Sequence, residues 1–189
     1  MRVRDHVVLS TAAAALLYPF VGARHVAPAW AASILIDADH YLWFVAHKRR
    51  LDPVAAVQFF NEAQPAPASN VRWFHSPVAL SIAAALAARR KALFPVALGM
   101  AAHVAVDIYH DARLARARAE ALHRDGNRCQ ACGVQDETVT AHTRRQPRLL
   151  PSYKVSNFVA LCGPCHAAAH NQRPGTEPER LRRAAGRRA

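Results

Sequence analysis

The sequence predicts a mostly α-helical chain in two parts, a helical N-terminal domain and a small zinc module near the C-terminus. Long apolar stretches rich in alanine fill residues 1–111. All four cysteines of the 189-residue chain come later, as the pairs Cys129/Cys132 and Cys162/Cys165. The net charge of +12 is also divided unevenly between the two parts.

Residues 1–111 carry ten Lys/Arg and seven Asp/Glu, a net charge of +3, whereas residues 112–189 carry fifteen and six, a net charge of +9. A short basic module is expected to reach phosphate backbones by long-range attraction and counterion release. A solvated basic surface, or a polybasic segment on anionic lipid, has the same composition. Charge alone therefore leaves DNA, RNA and membrane open as partners.

The first part contains four apolar stretches that we expect to form helices, so that residues 7–110 associate with a membrane. Arginines near both ends place the termini in the cytoplasm. In that arrangement the basic residues 89–91 (RRK) would lie on the opposite side of the membrane, where basic residues are not expected. We expect a bacterial-type inner membrane with the C-terminal module in the cytoplasm, or else a cytoplasmic protein. The stretches are residues 7–23, 26–46, 71–88 and 92–109, with a Pro-containing connector between the second and third.

Ionisable residues interrupt these apolar stretches. Such groups are costly in an apolar environment unless they pair with one another or bind metal. They could satisfy one another in a helical core, but the ordered set favours one or two zinc or manganese ions that activate water. The candidate ligands are His6, Asp37, Asp39, His40, His75, His103 and Asp107.

In this order the residues resemble the family of inner-membrane-bound metal-dependent hydrolases. The resemblance covers residues 1–111 and implies a compact helical domain in which an initial His, a DxDH cluster, a His-Ser pair and a His-x-x-x-Asp pair form the site. The second and third motifs depart from the family's favoured Pro-Asp and Arg-Gly-x-Thr-His-Ser, since they read IDADH and RWFHS here. The resemblance implies ligands but no substrate.

Residues 112–128 have helical spacing and many alanines and arginines, which predicts a linker helix that stops at Gly126. The four cysteines that follow have the spacing of a tetrahedral structural zinc site, because each Cys-x-x-Cys loop presents two sulfurs to one side of an ion. Two disulfides are the alternative, but the chain has no other cysteine that could cross-link the remaining residues.

Four further polar residues accompany the cysteines. His142 ends the run VTAH, which predicts a short strand, and Asn157 opens a turn before VALC. His166 and His170 are four residues apart, so on a helix that starts near Pro164 they share a face. The pattern predicts three imidazoles and an amide that converge between a strand and a helix.

Residues from about 120 to 171 resemble the HNH endonuclease family in the intervals of fifteen residues from His142 to Asn157, nine to His166 and four to His170. The resemblance implies a ββα-metal fold. It implies that His142 is the general base, that Asn157 orients the loop or that histidine, and that His166 and His170 hold a catalytic ion such as Mg, Mn, Ni or Zn. Such a base and such an ion are what phosphodiester hydrolysis needs.

The sequence departs from that family just before the proposed base, where a metal-ligating His or Asp is replaced by Ala141. Water, or another side chain, would have to complete the site, or the module has kept its fold and lost cleavage. We expect a metal-dependent HNH-type endonuclease that acts on DNA, joined to a membrane-associated hydrolase-like domain. The alternative is a non-cleaving zinc module that binds nucleic acid beside a membrane-bound hydrolase. Residues 172–189 are expected to form a basic disordered tail.

Overall fold

Seven helices and two short strands follow one another in the computed structural model, which describes residues 2–62, 72–145, 147 and 149–170. The prediction of a mostly helical chain is confirmed. The predicted tail, 172–189, and the connector prolines, Pro65 and Pro67, lie outside the described residues. The elements are α1 (Val3–Val21), α2 (Ala23–Leu35), α3 (Ala38–Lys48), α4 (Pro53–Glu62), α5 (Pro77–Arg89), α6 (Phe94–Arg124), β1 (Thr140–Thr143), β2 (Phe158–Leu161) and α7 (Gly163–His170).

The chain divides into two compact units between Tyr109 and His110, against a predicted boundary after residue 111. The boundary falls within α6, a continuous helix of 31 residues. The prediction of a separate linker helix over 112–128 is therefore wrong, because the alanine-rich spacing simply continues the preceding helix. Its predicted end is confirmed, since Gly126 follows the helix with a φ of 64°.

The second apolar stretch, predicted as one helix over 26–46, is in fact two. The backbone N–H of Asp37 donates to the carbonyl of Ile34 at 3.4 Å, a tighter i to i−3 turn that closes α2. The chain then starts again at Ala38 as α3. The break places the Asp37–His40 segment at a helix junction, where it can turn inward.

The predicted connector contains a helix, α4, that the sequence analysis missed. Asp52 caps it, because its Oδ1 accepts hydrogen bonds from the N–H groups of Val54 at 2.9 Å and Ala55 at 3.1 Å. An Asp followed by a Pro at the first helical position is a helix-start signal. The third apolar stretch likewise becomes helical only at Pro77, where the Ser76 hydroxyl accepts a hydrogen bond from Ala79 N–H at 3.1 Å.

Within the described residues, one helical segment is long and apolar enough to cross a membrane. It covers Lys91–Arg124, its best 18-residue window has a mean hydropathy of 1.6, and 22% of that window is buried. Helix α5 is apolar but has 13 residues. Of the four apolar stretches predicted to meet a membrane, one forms a helix long and apolar enough to cross it within the described part of the chain.

The second unit is built around a two-stranded antiparallel sheet in which His142 lies opposite Val159 and Ala141 lies opposite Ala160. Because side chains alternate along a strand, each face of this sheet carries its own cluster. On one face, Val159 packs with Cys129 and Leu161, and Ala169 of α7 packs against them. On the other face Phe158 packs with Ala117 and Ala121 of α6, and Ala141 packs against that cluster.

Candidate metal centres

All seven predicted residues of the first unit come together in one cluster. Five of them are buried or nearly so, and they reach the cluster from separate helices and turns. The structure therefore gathers residues that are up to a hundred positions apart in the chain. They are His6 on α1, Asp37 before α3, Asp39 and His40 on α3, His75 before α5, and His103 and Asp107 on α6.

Two imidazole nitrogens lie at the centre of the cluster, and each has two carboxylate oxygens within 4.0 Å. His75 Nε2 and His103 Nε2 are 3.2 Å apart. Asp37 Oδ1 lies 3.3 Å from His75 Nε2 and 3.4 Å from His103 Nε2. Asp107 Oδ2 lies 3.9 Å and 3.6 Å from the same two nitrogens. Two imidazoles and two carboxylates are a ligand set that suits zinc or manganese.

The other nitrogens of these two rings fix which nitrogen carries the proton. His75 Nδ1 donates to Asp39 Oδ2 at 3.1 Å, and His103 Nδ1 donates to the carbonyl of Ser33 at 2.6 Å. In the neutral tautomers both Nε2 atoms therefore carry lone pairs. Two lone pairs that face each other at 3.2 Å repel unless a proton on one of the rings or a metal ion lies between them. This pattern of outer hydrogen bonds is typical of metal-ligating histidines.

Asp39 was predicted as a metal ligand, but both of its carboxylate oxygens accept hydrogen bonds from imidazoles. It is fully buried, and its Oδ2 accepts hydrogen bonds from Phe74 N–H at 3.0 Å and from His75. Its Oδ1 accepts a hydrogen bond from His40 Nδ1 at 2.6 Å. Both carboxylate oxygens are thus used to orient imidazoles. His40 also lies near Asp37 Oδ1, at 3.7 Å, and belongs to a possible ligand group with Asp37 and His75.

His6 supports the site from α1. Its ring stacks on that of His103, with centroids 3.9 Å apart and an interplanar angle of 13°. Its Nε2 lies 3.0 Å from Asp107 Oδ1, so the Asp107 carboxylate touches His6 with one oxygen and faces His75 and His103 with the other. His6, Asp37 and His103 are themselves close enough to share an ion.

A glycine allows α6 to come close enough to α2 to build this site. A Cβ atom on Gly99 would lie 2.1 Å from the carbonyl oxygen of Ala29. One helical turn further along both helices, His103 donates to the carbonyl of Ser33. Ser33 and Gly99 were not predicted as site residues, because nothing in the sequence shows which helices touch.

The four cysteines of the second unit are free thiols whose sulfur atoms all lie within 4.8 Å of one another. Sulfurs bound tetrahedrally to zinc at about 2.3 Å lie about 3.8 Å apart. The Sγ atoms of Cys132 and Cys162 are 3.6 Å apart, which fits that geometry. These residues can hold a metal such as zinc, and they are not paired as disulfides.

The thiols differ in how readily they ionise. Burial raises the pKa of Cys129, but backbone hydrogen bonds from Cys162, Cys132 and Ala131 outweigh it and bring the pKa to about 6. Burial and the neighbouring sulfurs raise the pKa of Cys165 to about 12. One thiol of the cluster therefore ionises easily and another resists ionisation. A bound cation would stabilise the thiolate form of both.

His142, His166 and His170 form the second cluster of this unit. Their ring centroids are 4.9, 5.0 and 4.7 Å apart, and their ligand nitrogens lie within 4.8 Å of one another. Burial, and then the positive charges of His166, His170 and Arg144, lower the pKa of His142 to about 4. Burial, His170 and Arg118 lower the pKa of His166. The rings of His142 and His166 are therefore neutral near pH 7 and keep a free lone pair.

Asn157 holds the chain that leaves β1 just after His142. Its Nδ2 donates to the carbonyl of Arg145 at 2.9 Å, and its Oδ1 accepts a hydrogen bond from Arg145 N–H at 3.1 Å. The side chain therefore acts on the backbone of the loop. Ala141 lies on the opposite face of β1 from His142, where it packs against the cluster of Phe158, Ala117 and Ala121.

Arg124 and Asp125 support this arrangement and were missed. Arg124 donates to the carbonyls of Val155 at 3.0 Å and Phe158 at 2.8 Å, on either side of the turn that carries Asn157. Asp125 is buried and accepts a hydrogen bond from Ala160 N–H at 3.0 Å. An Arg-Asp-Gly sequence between a helix and the first cysteine pair was the available signal.

Comparisons with family models, with curated proteins and with solved structures find no match to this chain.

Gly99→Val should disturb the first metal centre, because no side chain fits against Ala29. We expect the free energy of unfolding to fall by about 1–3 kcal/mol, with weaker metal binding by the N-terminal unit. Thermal unfolding and metal counting on the full chain measure both. Ala105→Val, at an exposed position of the same helix, is the control and should change neither.

Cys162→Ser should remove one zinc equivalent and unfold the second unit, because a three-sulfur site holds the ion poorly and the cysteines supply part of that unit's core. Metal analysis and far-UV circular dichroism provide the readouts. Ala131→Ser adds the same hydroxyl between the first two cysteines and should retain the zinc. Retention of full zinc by Cys162→Ser would contradict the four-sulfur assignment.

Proposed function

We propose that the second unit is a metal-dependent endonuclease of the HNH type, which hydrolyses phosphodiester bonds in DNA. The observation that supports it best is the convergence of His142, from a strand, with His166 and His170, from the helix that follows the sheet. Three converging imidazoles beside a separate four-cysteine cluster are more than a structural zinc site needs.

Each residue has a role that its surroundings support. His142 is the general base and takes a proton from the attacking water, since its low pKa keeps the ring neutral. His166 and His170 would hold the catalytic ion, which would supply positive charge opposite the developing charge on the leaving oxygen. Asn157 fixes the loop behind His142 through Arg145.

The site is proposed to work without a ligand at position 141. Ala141 packs against Phe158 on the other face of the sheet, so a larger polar side chain there would meet α6 rather than the imidazoles. Water would have to complete the coordination of an ion held by His166 and His170. The equal spacing of the three rings also suits a second arrangement, in which His142 is a third ligand of the ion.

His142→Ala should abolish plasmid nicking by the full chain with Mg, Mn, Ni or Zn ions. If His142 is the base, the variant loses activity by roughly two or more orders of magnitude and keeps its metal content. If His142 is a ligand, the variant also loses one metal equivalent. His123→Ala, an exposed histidine of the same unit, should nick at the wild-type rate.

Absence of nicking by the wild-type chain with every ion would overturn the endonuclease proposal. The alternative would then stand, in which the second unit binds nucleic acid without cleaving it and serves a membrane-bound hydrolase in the first unit. That alternative predicts DNA binding that falls with salt and is unchanged in His142→Ala.

A second function is proposed for the first unit, a metal-dependent hydrolase site. It rests on the two Nε2 atoms of His75 and His103, which face each other at 3.2 Å beside the carboxylates of Asp37 and Asp107. An ion held there lowers the pKa of a bound water, and Asp39 orients His75 for it.

Metal counting tests this second function. His103→Ala should remove one zinc or manganese equivalent from the full chain and leave the zinc of the cysteines in place. Asp39→Asn should keep the ion but weaken its binding by roughly 10- to 100-fold, because it removes an orienting carboxylate. His25→Ala, an exposed histidine, serves as the control. A wild-type chain that binds a single zinc has neither additional site.

We also propose that residues 7–110 associate with a membrane, with the second unit in the cytoplasm. Large apolar side chains on α1 are exposed, among them Leu16 at 72% and Phe20 at 83%. The apolar part of α6, before Asp111, has the length and composition of a membrane helix. Apolar patches of this kind mark contact with lipid or with another protein.

A further inference from the structure

Helices α1, α2, α5 and the first part of α6 connect the first metal centre to a common opposite end. Gly99 of α6 lies against Ala29 of α2, and four residues further along each helix His103 donates to the carbonyl of Ser33. The two helices therefore run side by side in the same direction. Continued back by five residues, this pairing places Arg24 level with the first residue of α6.

Helix α5 connects the same two ends. His75, just before α5, meets His103 of α6 with 3.2 Å between their Nε2 atoms. Between these two residues the chain runs along α5, turns, and returns along α6. Because the two helical legs have similar lengths, the turn must lie at the end away from the metal centre. The residues at this turn are Arg89, Arg90 and Lys91.

Helix α1 turns into α2 at the same end. The indole N–H of Trp30 donates to the Thr11 hydroxyl at 3.1 Å, and the two helices line one apolar groove along their length. They are thus an antiparallel pair. His6 lies at the metal end of this pair, and Gly22 makes the turn beside Arg24 at the other end.

The charged residues of this bundle are separated by sign. No Asp or Glu occurs in residues 6–36 or 75–106, so the carboxylates lie at the metal end or outside these helices. The opposite end carries four exposed basic side chains, and none of them forms an ion pair with any other described residue. These four side chains form the basic end of the first unit: Arg24, Arg89, Arg90 and Lys91.

The sides of the bundle next to the basic end are apolar and exposed. Phe20 is 83% exposed, Phe94 60% and Leu98 54%. The 13 residues of α2 span about 20 Å, whereas the hydrocarbon core of a bilayer is about 30 Å thick. Arginine and lysine side chains extend to the headgroups across part of such a difference, and the bilayer thins around a short span. Cations at the end of an apolar bundle are therefore suited to a lipid headgroup layer.

We propose that the basic end binds the phosphate groups of anionic phospholipids, while the apolar sides of the bundle lie in the hydrocarbon of the membrane. The inference rests on the proposed membrane association of residues 7–110 and adds the class of lipid and the end of the unit that meets it. Lipid phosphates supply acceptors for charge-assisted hydrogen bonds to the guanidinium groups. A nucleic-acid backbone also offers phosphates, but it would leave the neighbouring apolar side chains in water.

The test compares neutral with anionic vesicles. The full chain, with its zinc, is floated with vesicles of phosphatidylcholine, or of equal parts phosphatidylcholine and phosphatidylglycerol, over a range of lipid concentrations that gives the affinity. The wild-type chain should bind both and prefer the anionic vesicles. Arg89→Gln/Arg90→Gln should lower the affinity for anionic vesicles roughly 25-fold, because each basic residue near the surface contributes about fivefold. Its binding to neutral vesicles should be unchanged.

Arg49→Gln/Arg50→Gln is the matched control, which is needed because other parts of the chain are also basic. It removes the same two charges from exposed positions of the same unit, where Arg50 lies 3.7 Å from Asp52. This variant should keep the wild-type preference for anionic vesicles. An equal loss in the control would show that any exposed arginine contributes, and it would overturn the basic end as the lipid-binding surface. Metal content and the thermal transition confirm that both variants are folded.

Failure of this inference is separable from failure of membrane association. If the wild-type chain binds both kinds of vesicle equally, or if Arg89→Gln/Arg90→Gln keeps the anionic preference, membrane association stands and the headgroup assignment is wrong. If the wild-type chain binds neither kind, membrane association fails and the inference fails with it. Titration of a fluorescent DNA duplex tests the other source of phosphate. A loss of DNA affinity confined to Arg89→Gln/Arg90→Gln, with unchanged vesicle binding, would make the basic end a nucleic-acid surface instead.

Discussion

The histidine pair of the first unit is the constraint on which its site depends. The Nδ1 atoms of His75 and His103 donate to Asp39 and to the Ser33 carbonyl, so their Nε2 atoms meet at 3.2 Å and need a proton or a metal ion between them. Two features of the backbone position these rings. Gly99 lets α6 approach α2, and the break after α2 brings Asp37 beside His75. With neither a proton nor a metal ion between the two nitrogens, this arrangement would raise the free energy of the folded state.

The two histidine clusters differ most in their negative charge. In the first unit, Asp37, Asp39 and Asp107 contact the imidazoles and offset much of an ion's charge. In the second unit, the residues that meet at the cluster are three imidazoles, those of His142, His166 and His170. An ion at the first site would therefore lie among carboxylates, whereas the three imidazoles of the second site bring no negative charge of their own.

Local signals in the sequence were reliable where the structure depends on spacing. The cysteine pairs, the strand at His142 and the helix through His166 and His170 all follow from residues a few positions apart. The helix junction at Asp37, the helix α4 and the continuity of α6 were missed, because apolar composition does not show where a helix breaks. Asp39 orients the ring of His75 through Nδ1, whereas Asp37 faces its Nε2. These contacts join residues far apart in the sequence, so local spacing could not predict which aspartate does which.

The alternation of side chains along β1 explains why residue 141 can be an alanine. From the sequence alone, an alanine next to His142 suggests that a metal ligand has been lost. In the sheet it faces Phe158 and the small residues of α6, while His142 faces α7. Close packing of Ala117 and Ala121 against the sheet requires a small residue at that position. The same packing fixes the sheet against α6, and the alternation along β1 then directs His142 toward His166 and His170 on α7.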